Sequence, residues 1–403
     1  MTDATTPFDL KADPTGRLGR SGFAAAAYFA LLAPAAVAGG MALAPLQALV
    51  GLIVTPLSRD MRRVGLFLLA AAPFIAFAGW AAASYQWSPV PRPEQAMKVL
   101  AGYVCGVLFV AGLAAGGGKN RALGRAALLS SVIILICLLV VEAGGDLVIN
   151  RMGTTTTDPG VIERNPGKGA SILVVLIWGA IGALIGGKST WQRLLWRALL
   201  VCAGLLSLQF NMATNAAGFA LGFVGFTFGW MAPRVAPILV AIGLAGWMLI
   251  APWASVFVLS LPGLQDRLPL SWQMRGEIWR YAAARIDERL ITGWGLDGAR
   301  KFGANTLTVG DMQVQAIPLH PHSFSMHVWL ETGLVGASLA AASILAAGII
   351  TSRTLGRHRA AAAAAVGAMV AVGAIWNVSY GAWQEWWIAA AFTAAGAAAL
   401  ARR

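Results

Sequence analysis

The sequence predicts an all-α polytopic membrane protein with about twelve transmembrane helices and one large helical loop outside the bilayer. Of its 403 residues, 58% are hydrophobic and only 12% are charged, whereas about a quarter of a soluble globular chain is charged. Apolar runs of about 20 residues, the length that crosses a bilayer, recur from end to end. The polar connectors between these runs alternate in charge, as expected of a chain that crosses a membrane repeatedly.

Twelve runs are predicted to span the membrane, with boundaries good to a few residues. They lie near 21–39, 42–57, 64–83, 96–116, 123–142, 169–187, 194–210, 213–231, 235–260, 324–351, 360–380 and 383–400. The chain therefore divides into a tail (1–20), spans one to nine (21–260), a large outer loop (261–323) and spans ten to twelve (324–403). The tail is polar and holds no early apolar run, so no cleavable signal peptide is expected.

The basic residues predict the orientation of these spans. Connectors on one side carry 18 of the 30 Lys and Arg residues against four acids, and the other side carries 12 against 13. The positive-inside rule therefore puts both termini in the cytoplasm, which agrees with an even number of spans. The net charge of +13 is then an orientation signal and an attraction to anionic membrane lipids, and no nucleic-acid partner is expected.

The first half of the large loop, SWQMRGEIWRYAAARIDERL, is predicted to form an amphipathic helix. Its apolar face is made by Ile278, Trp279, Ala282, Ala283, Ile286 and Leu290. Arg275 lies at the centre of that face, where its forked guanidinium would suit a phosphate group. The alternative is a side chain that reaches toward lipid headgroups. Arg280 lies on the polar side, where solvent or an ion pair with Glu277 is favoured.

The second half of the loop begins with ITGWGLDGARKFG, whose four glycines predict a turn-rich connector. It lacks the spacing of a P-loop or of a dinucleotide fingerprint and has no flanking strand. The loop also contains no pair of acids or acid–histidine cluster with the spacing of a metal site. We therefore expect neither a metal nor a cofactor.

The end of the loop, PLHPHSFSMHVWLETGLVG, holds three of the four histidines of the chain. Histidine exchanges a proton near neutral pH, so a histidine at a membrane boundary is a candidate general base. On a helical wheel, His322 shares one face with Trp329, Gly333 and Gly336, and glycines allow another helix to approach closely. His322 is therefore predicted to top a tightly packed helix face; a plain interfacial histidine is the alternative.

The other two histidines receive different predictions. His327 and Glu331 are four residues apart on the opposite face, where they can pair. Glu331 lies inside the predicted span, and an acid there is either functional or a structural partner of His327. His320 precedes Pro321 and is expected to be extended, and it is left without a role.

The same segment resembles a known family signature. His322-Ser323, nine residues, Gly333, two residues and Gly336 is similar to the O-antigen ligase pattern of histidine, Asn/Ser/Gln, nine residues, glycine, two residues and Gly/Thr/Tyr. The preceding RGEIWRYAAARIDERLITGWG resembles the segment that opens the large periplasmic loop in that superfamily, and NVSYGAWQEWW resembles the tail of its short members. Related polysaccharide polymerases and protein O-oligosaccharyltransferases carry similar patterns.

This resemblance implies a fold and an activity. The family members are GT-C-like membrane glycosyltransferases of the bacterial inner membrane that invert the sugar linkage without a metal. Their donor is a glycan on undecaprenyl diphosphate at the periplasmic face, and the acceptor of the ligases is a lipid A–core sugar. By position, the resemblance makes His322 the general base and Arg275 the residue that binds the donor diphosphate.

The resemblance also leaves a gap in the set of basic residues. Arg164, in the second outer loop, loosely resembles another basic position of the family. Many members carry a Ser-Arg pair before the eighth span, but here the turn is MATNAAG, so Asn215 stands where an arginine is expected. Asparagine can bind phosphate but adds no charge, so Arg164, Lys168 or Arg280 is expected to supply what is missing.

Three functions remain open at this point. A ligase acting on lipid A–core is expected first, and a polymerase that extends the growing glycan from the same donor is the nearest alternative. A transporter would show internal repeats and paired charges at mid-membrane, whereas the charges here cluster in one outer loop. Four tryptophans near the last spans are expected to form an aromatic belt, with stacking on sugars as the alternative: Trp376, Trp383, Trp386 and Trp387.

Overall fold

The computed structural model describes residues 19–55 and 61–402. The cytoplasmic tail predicted for residues 1–20 lies almost entirely outside the described residues, as do Arg59, Asp60 and Arg403 in the charge pattern. The described part is helical apart from one short hairpin, which confirms the all-α prediction.

Sixteen α-helices and two strands make up the described ranges. The helices are α1 Arg20–Val37, α2 Leu43–Val54, α3 Met61–Ala83, α4 Pro93–Ala115, α5 Gly118–Gly144, α6 Val148–Met152, α7 Pro159–Ile162, α8 Arg164–Ile185, α9 Thr190–Ser207, α10 Ala213–Met231, α11 Ala236–Leu259, α12 Leu264–Arg267, α13 Leu270–Glu288, α14 Phe324–Leu355, α15 Arg359–Val378 and α16 Glu385–Leu400. Short 3₁₀ helices cover Ser84–Trp87 and Gly298–Ala304. Strands β1 (Thr306–Val309) and β2 (Met312–Gln315) pair antiparallel, with Thr306 opposite Gln315.

Eight helices in residues 19–55 and 61–402 are long and apolar enough to cross a membrane. They belong to α1, α3, α4, α5, α8, α11, α14 and α15. A helix also lies at each of the other four predicted spans, as α2, α9, α10 and α16, but these helices do not meet the same measure of length and hydropathy. The chain is thus a polytopic membrane protein, and the count of twelve spans stays a prediction.

Helix α8 lies at the centre of the bundle. It is buried along almost its whole length and contacts α1, α5, α9, α10, α15 and α16. Small residues allow this close packing: a Cβ added at Gly179 would lie only 2.6 Å from the Cβ of Ala397 in α16. The bundle therefore places the first turn of α8 beside the ends of α15 and α16, where the candidate site lies.

Helix α14 is broken at Gly333, which has φ 63° and ψ −162°. The break frees main-chain groups, and the glycine-rich connector binds them: the Trp294 N–H donates to Leu330 O at 2.8 Å, and the Leu334 N–H donates to Leu290 O at 2.8 Å. The indole of Trp80 in α3 donates to Thr332 O at 3.0 Å. Buried polar groups are thus satisfied although the helix is interrupted.

This break corrects the predicted helical wheel. Helix α14 begins at Phe324, so His322 lies before it, and Gly333 does not continue the face on which Trp329 stands. A Cβ at Gly333 would lie 2.3 Å from Ile291 O. The glycine therefore admits the main chain of a loop, where the sequence predicted a packed helix face.

Candidate active site

His322 lies in the turn that leads into α14 and has a left-handed backbone, with φ 54°. The side chain of Ser323 caps the helix by accepting from the Met326 N–H at 3.4 Å. On the other side, the indole of Trp279 in α13 donates to Pro321 O at 2.8 Å. The loop helix and the histidine turn are therefore joined directly, and Arg275, one turn before Trp279, is brought toward His322.

The ring of His322 is oriented by a main-chain carbonyl. Its Nδ1 lies 3.1 Å from Ser379 O, and a carbonyl only accepts, so Nδ1 carries the proton and Nε2 carries the lone pair. Among the described residues no partner binds Nε2, which is also not enclosed by the protein. Burial lowers the pKa of His322, the Ser379 carbonyl opposes that shift, and the charge of Arg275 lowers the pKa further. The neutral ring with an open Nε2 is the form that accepts a proton.

Arg275 is half-buried in α13 and stacks its guanidinium 5.2 Å from the centre of the Trp272 ring. No carboxylate among the described residues pairs with it, although its charge acts on His322 and on Tyr380. Burial lowers the pKa of Arg275, but a guanidinium stays charged at any physiological pH. An unpaired, partly desolvated cation favours an anionic ligand.

Tyr380 follows α15 and lies close enough to Arg275 for the two groups to interact electrostatically. Burial raises its pKa to about 12, so the phenol is neutral. Its hydroxyl lies 2.8 Å from Ser171 Oγ in α8, which lies 2.7 Å from Asn215 Oδ1. The Asn215 amide donates to Gly167 O at 3.2 Å, and Asn215 is completely buried. The expected direct contact of Asn215 with substrate is therefore not what the structure shows: Asn215 supports Tyr380 from behind.

Two further cations lie at the start of α8. Lys168 Nζ stands 5.6 Å from the centre of the Trp386 ring, and that ring packs edge-on against Tyr380 at 4.8 Å. Arg164 is exposed and close enough to Lys168 for the two charges to repel. The rings of Trp386 and Tyr380 thus link Lys168 to the neighbourhood of Arg275, and Arg164 lies beside Lys168.

Arg280 stands apart from this group. Its guanidinium pairs with Glu277 and donates to Leu259 O at 2.7 Å. Its charge is therefore balanced by Glu277, in the ion pair that the sequence favoured. This geometry does not support the expectation that Arg280 supplies the missing charge at the site.

Glu331 is an internal anchor, completely buried in α14. Its carboxylate accepts from the main-chain N–H of Asp297 at 2.9 Å, from that of Ala299 at 3.0 Å and from the indole of Trp383 at 2.6 Å. His327 Nε2 lies 3.1 Å from the same carboxylate, close but not aligned as a hydrogen bond. This geometry shows the structural pairing with His327 and leaves Glu331 no route to a substrate.

His327 itself is held from its other nitrogen. The Ala382 N–H donates to His327 Nδ1 at 2.9 Å, so Nδ1 carries no proton and Nε2 does. His327 is 4% exposed. It is therefore an enclosed residue whose hydrogen bond joins α14 to the chain after α15.

The connector between α15 and α16 supplies residues for which sequence analysis predicted no role. Ser379 orients His322, Ala382 holds His327, and Tyr380 faces Arg275. The resemblance of NVSYGAWQEWW to the family tail drew attention to this segment. It did not predict the contact of Ser379 with His322, because residues 57 positions apart along the chain share no sequence pattern. The four tryptophans near these spans are buried inside the protein, so neither the lipid-facing belt nor an open sugar platform is correct.

An apolar cavity of about 290 Å³ lies in the bundle next to this site. Phe324 and Ser325 line it at the start of α14, and it follows that helix as far as Leu355. Apolar side chains make most of its wall. Within residues 19–55 and 61–402, no group of three His, Cys, Asp or Glu side chains has the arrangement of a metal site.

Comparisons with known proteins agree with the class of protein that the fold defines. No family model matches the chain. Three similar proteins bear the description "Putative polysaccharide ligase": one from Rickettsia bellii, 25% identical over 228 residues, one from Rickettsia conorii, 25% over 235, and one from Rickettsia felis, 25% over 236. Each match covers 55% of this chain and 54% of the relative, so the chain spans about half the length of the curated relatives it matches.

These findings define a polytopic membrane protein. More particularly, the chain is distantly similar to the proteins described as "Putative polysaccharide ligase".

Proposed function

We propose that this protein is an O-antigen ligase-type glycosyltransferase. It moves a glycan from undecaprenyl diphosphate to a sugar hydroxyl of lipid A–core. The observation that carries the proposal is the open Nε2 of His322 beside the unpaired guanidinium of Arg275. A proton acceptor next to an anion site is what transfer from a sugar diphosphate requires.

The reaction follows from these two groups. His322 Nε2 takes the proton of the acceptor hydroxyl, and the hydroxyl oxygen attacks the anomeric carbon of the donor sugar. The bond between that carbon and the diphosphate oxygen breaks, and undecaprenyl diphosphate leaves with the electron pair. Attack from the face opposite the leaving group inverts the anomeric centre. The sugar diphosphate is already activated, so the protein supplies position, proton removal and charge stabilisation, and no metal is needed.

Arg275 stabilises the negative charge that grows on the leaving diphosphate. Lys168 and Arg164 extend the same positive region along the start of α8, which fits a donor that carries two phosphates. We propose positioning roles for the other predicted residues. Asn215 supports Tyr380, and Glu331 fastens the loop to α14.

The apolar cavity supports the same donor. A polyprenyl chain attached to the diphosphate must lie in an apolar environment, and the cavity begins at Phe324, two residues after His322. The proposed orientation is that of a multi-pass protein in the bacterial inner membrane, with both termini in the cytoplasm and the site at the periplasmic face.

The acceptor separates a ligase from a polymerase, and deletion of the gene with lipopolysaccharide profiling distinguishes them. A ligase predicts loss of all polymer with lipid A–core intact. A polymerase predicts a single repeat unit on the core. An unchanged glycan profile would refute both.

Substitution of the base tests the site itself. His322→Ala should abolish transfer, because the open Nε2 is lost, while the protein still inserts in the membrane at normal yield, because only one hydrogen bond of the side chain, from Nδ1 to Ser379 O, is lost with it. Wild-type transfer by this variant would refute the assignment. His327→Ala is the matched control for histidine loss: it should lower stability, because an enclosed acceptor for the Ala382 N–H disappears.

A further inference from the structure

The backbone of His322 adopts a conformation that side chains other than glycine avoid. Its φ of 54° is left-handed, a region disfavoured for a residue with a Cβ. Such a conformation persists only where the surroundings hold it. Neighbouring groups must therefore stabilise the backbone of His322.

His320 contacts the main chain of His322 directly. The main-chain N–H of His322 donates to His320 Nδ1 at 3.1 Å, and the two rings meet edge to face with centres 4.6 Å apart. An accepting Nδ1 carries no proton, so the ring proton sits on Nε2. Burial, followed by the proximity of His322, His327 and Arg300, lowers the pKa of His320 well below its ordinary value. His320 is therefore a neutral acceptor across the physiological range.

Gln384 holds the other side of the same ring. Its side-chain nitrogen lies 3.1 Å from His320 Nε2, which places two donors face to face. At the same time Gln384 Oε1 is buried without a partner. Turning the amide by 180° puts Oε1 opposite the His320 Nε2–H and satisfies both groups, and amide orientations are assigned by such networks.

The chain between α15 and α16, residues 379–384, closes around this ring. A Cβ at Gly381 would lie 2.8 Å from the His320 ring, so only glycine fits there. The same connector provides Ser379 O to the His322 ring. One segment therefore sets both the backbone and the ring of His322, through His320 in the first case and directly in the second.

We propose that His320 is a positioning residue for the base: held by Gln384, it accepts the main-chain N–H of His322 and keeps Nε2 of His322 aimed at the acceptor hydroxyl. The activity readout rests on the proposed transferase function. The positioning itself is a property of the fold and is measurable without any transfer.

Three substitutions separate the acceptor from the bulk of the ring. His320→Asn keeps an acceptor, because Oδ1 stands where Nδ1 stood, two bonds from Cβ. His320→Gln moves the acceptor one carbon further out, and His320→Ala removes it. Yield and monodispersity in detergent show which variants fold.

With transfer as the readout, His320→Asn should keep kcat near the wild-type value. His320→Ala and His320→Gln should each lose about 10²-fold in kcat, the cost of a misplaced reacting group of about 1 Å. The KM for donor should not change, since Arg275, Lys168 and Arg164 are untouched. Equal loss in the Asn and Ala variants, or wild-type kcat in the Ala variant, would overturn the proposal.

A second measurement does not depend on transfer. Carbethoxylation of His322 by diethyl pyrocarbonate, followed by mass spectrometry across pH, reports the midpoint at which this ring becomes neutral. Arg275, His327, Arg300 and Tyr380 are the titratable or charged groups around the pair. His320→Ala should release the His322 ring toward solvent, raise its pKa and move the midpoint to higher pH, while His320→Asn should leave it unchanged. An unmoved midpoint in the Ala variant refutes the positioning role, and a shifted midpoint in a protein that transfers no glycan refutes only the transferase.

Gln384→Glu provides a matched test of the neutral acceptor. A carboxylate beside Nε2 raises the pKa of His320, and a doubly protonated ring cannot accept from the His322 N–H. Transfer by Gln384→Glu should therefore begin to fall at a higher pH than protonation of His322 alone would cause, whereas Gln384→Ala should keep the acid limb of His322 without this added loss. Identical pH profiles for the two Gln384 variants would contradict the inference.

Discussion

Removal of the Arg275 charge is the sharpest test of the anion site. The guanidinium is half-buried and no described carboxylate neutralises it, so a phosphate at about 4 Å would gain about 4 kcal/mol at an effective dielectric constant of about 20. Since 1.36 kcal/mol corresponds to tenfold in rate, Arg275→Ala should lower kcat/KM for donor by about 10³-fold. Arg275→Lys keeps the charge but loses the fork and the stacking on Trp272, so about 10-fold is expected.

The assay is transfer of a defined polyprenyl-diphosphate glycan by purified enzyme in detergent, with Arg280→Ala as the control on the same helix. Arg280 is paired with Glu277, so its loss should cost stability more than turnover. The Arg275→Ala variant should keep its melting temperature, because no ion pair is lost. A loss of less than 10-fold in Arg275→Ala, or an equal loss in Arg280→Ala, would refute the reasoning.

The same substitution has a consequence for pH. The charge of Arg275 lowers the pKa of His322, so Arg275→Ala should raise that pKa. The base is then protonated at higher pH, and the acid limb of the kcat/KM profile should move upward. A limb that stays in place would mean that Arg275 does not face the base in the working enzyme.

Three further predictions concern the residues that support the site and the independence of transfer from a metal. Glu331→Gln should lower the free energy of unfolding by about 1–3 kcal/mol, because a carboxylate that accepts from several buried donors is lost; thermal denaturation in detergent measures it, and an unchanged melting temperature would contradict the anchor role. Gly333→Ala should fail to accumulate as folded protein, since its Cβ would meet Ile291 O at 2.3 Å, whereas Gly243→Ala, with open space around it, should behave as wild type. Full transfer activity in excess chelator is expected, and its loss would argue for a metal in the reaction.

The apolar runs predicted the helices well because the length of a bilayer sets the length of an apolar helix. The proximity of Arg275 to the turn that holds His322 was harder to predict from the sequence. It depends on the Trp279–Pro321 contact, which joins residues 42 positions apart, although the face of α13 that makes it follows from the helical period: Ile278, Ala282 and Ile286 are buried as predicted.

The helix break at Gly333 could not be predicted in the same way. A helical wheel assumes a continuous helix. A glycine on the wheel indicates that something packs closely there, but it does not show whether that is a helix or a loop. Whether a helix or a loop main chain fills the space is decided by the connector 290–295, which supplies donors and acceptors for the broken turn. Asn215 was a candidate because the family resemblance expects an arginine at its position, but its orientation toward Ser171 and Gly167 has no sequence signal.

The three histidines show how the fold assigns chemistry to chemically equal side chains. His327 and His320 each receive a main-chain N–H on Nδ1, so each keeps its proton on Nε2, and that nitrogen faces Glu331 in His327 and Gln384 in His320. His322 alone faces a carbonyl, so its proton sits on Nδ1 and its lone pair sits on Nε2. Main-chain groups do not titrate, and these three tautomers therefore hold over the whole pH range in which the rings are neutral. The proposed base is thus distinguished by three backbone contacts, two of them from the connector 379–384, and a change in that connector should alter catalysis without touching a charged residue.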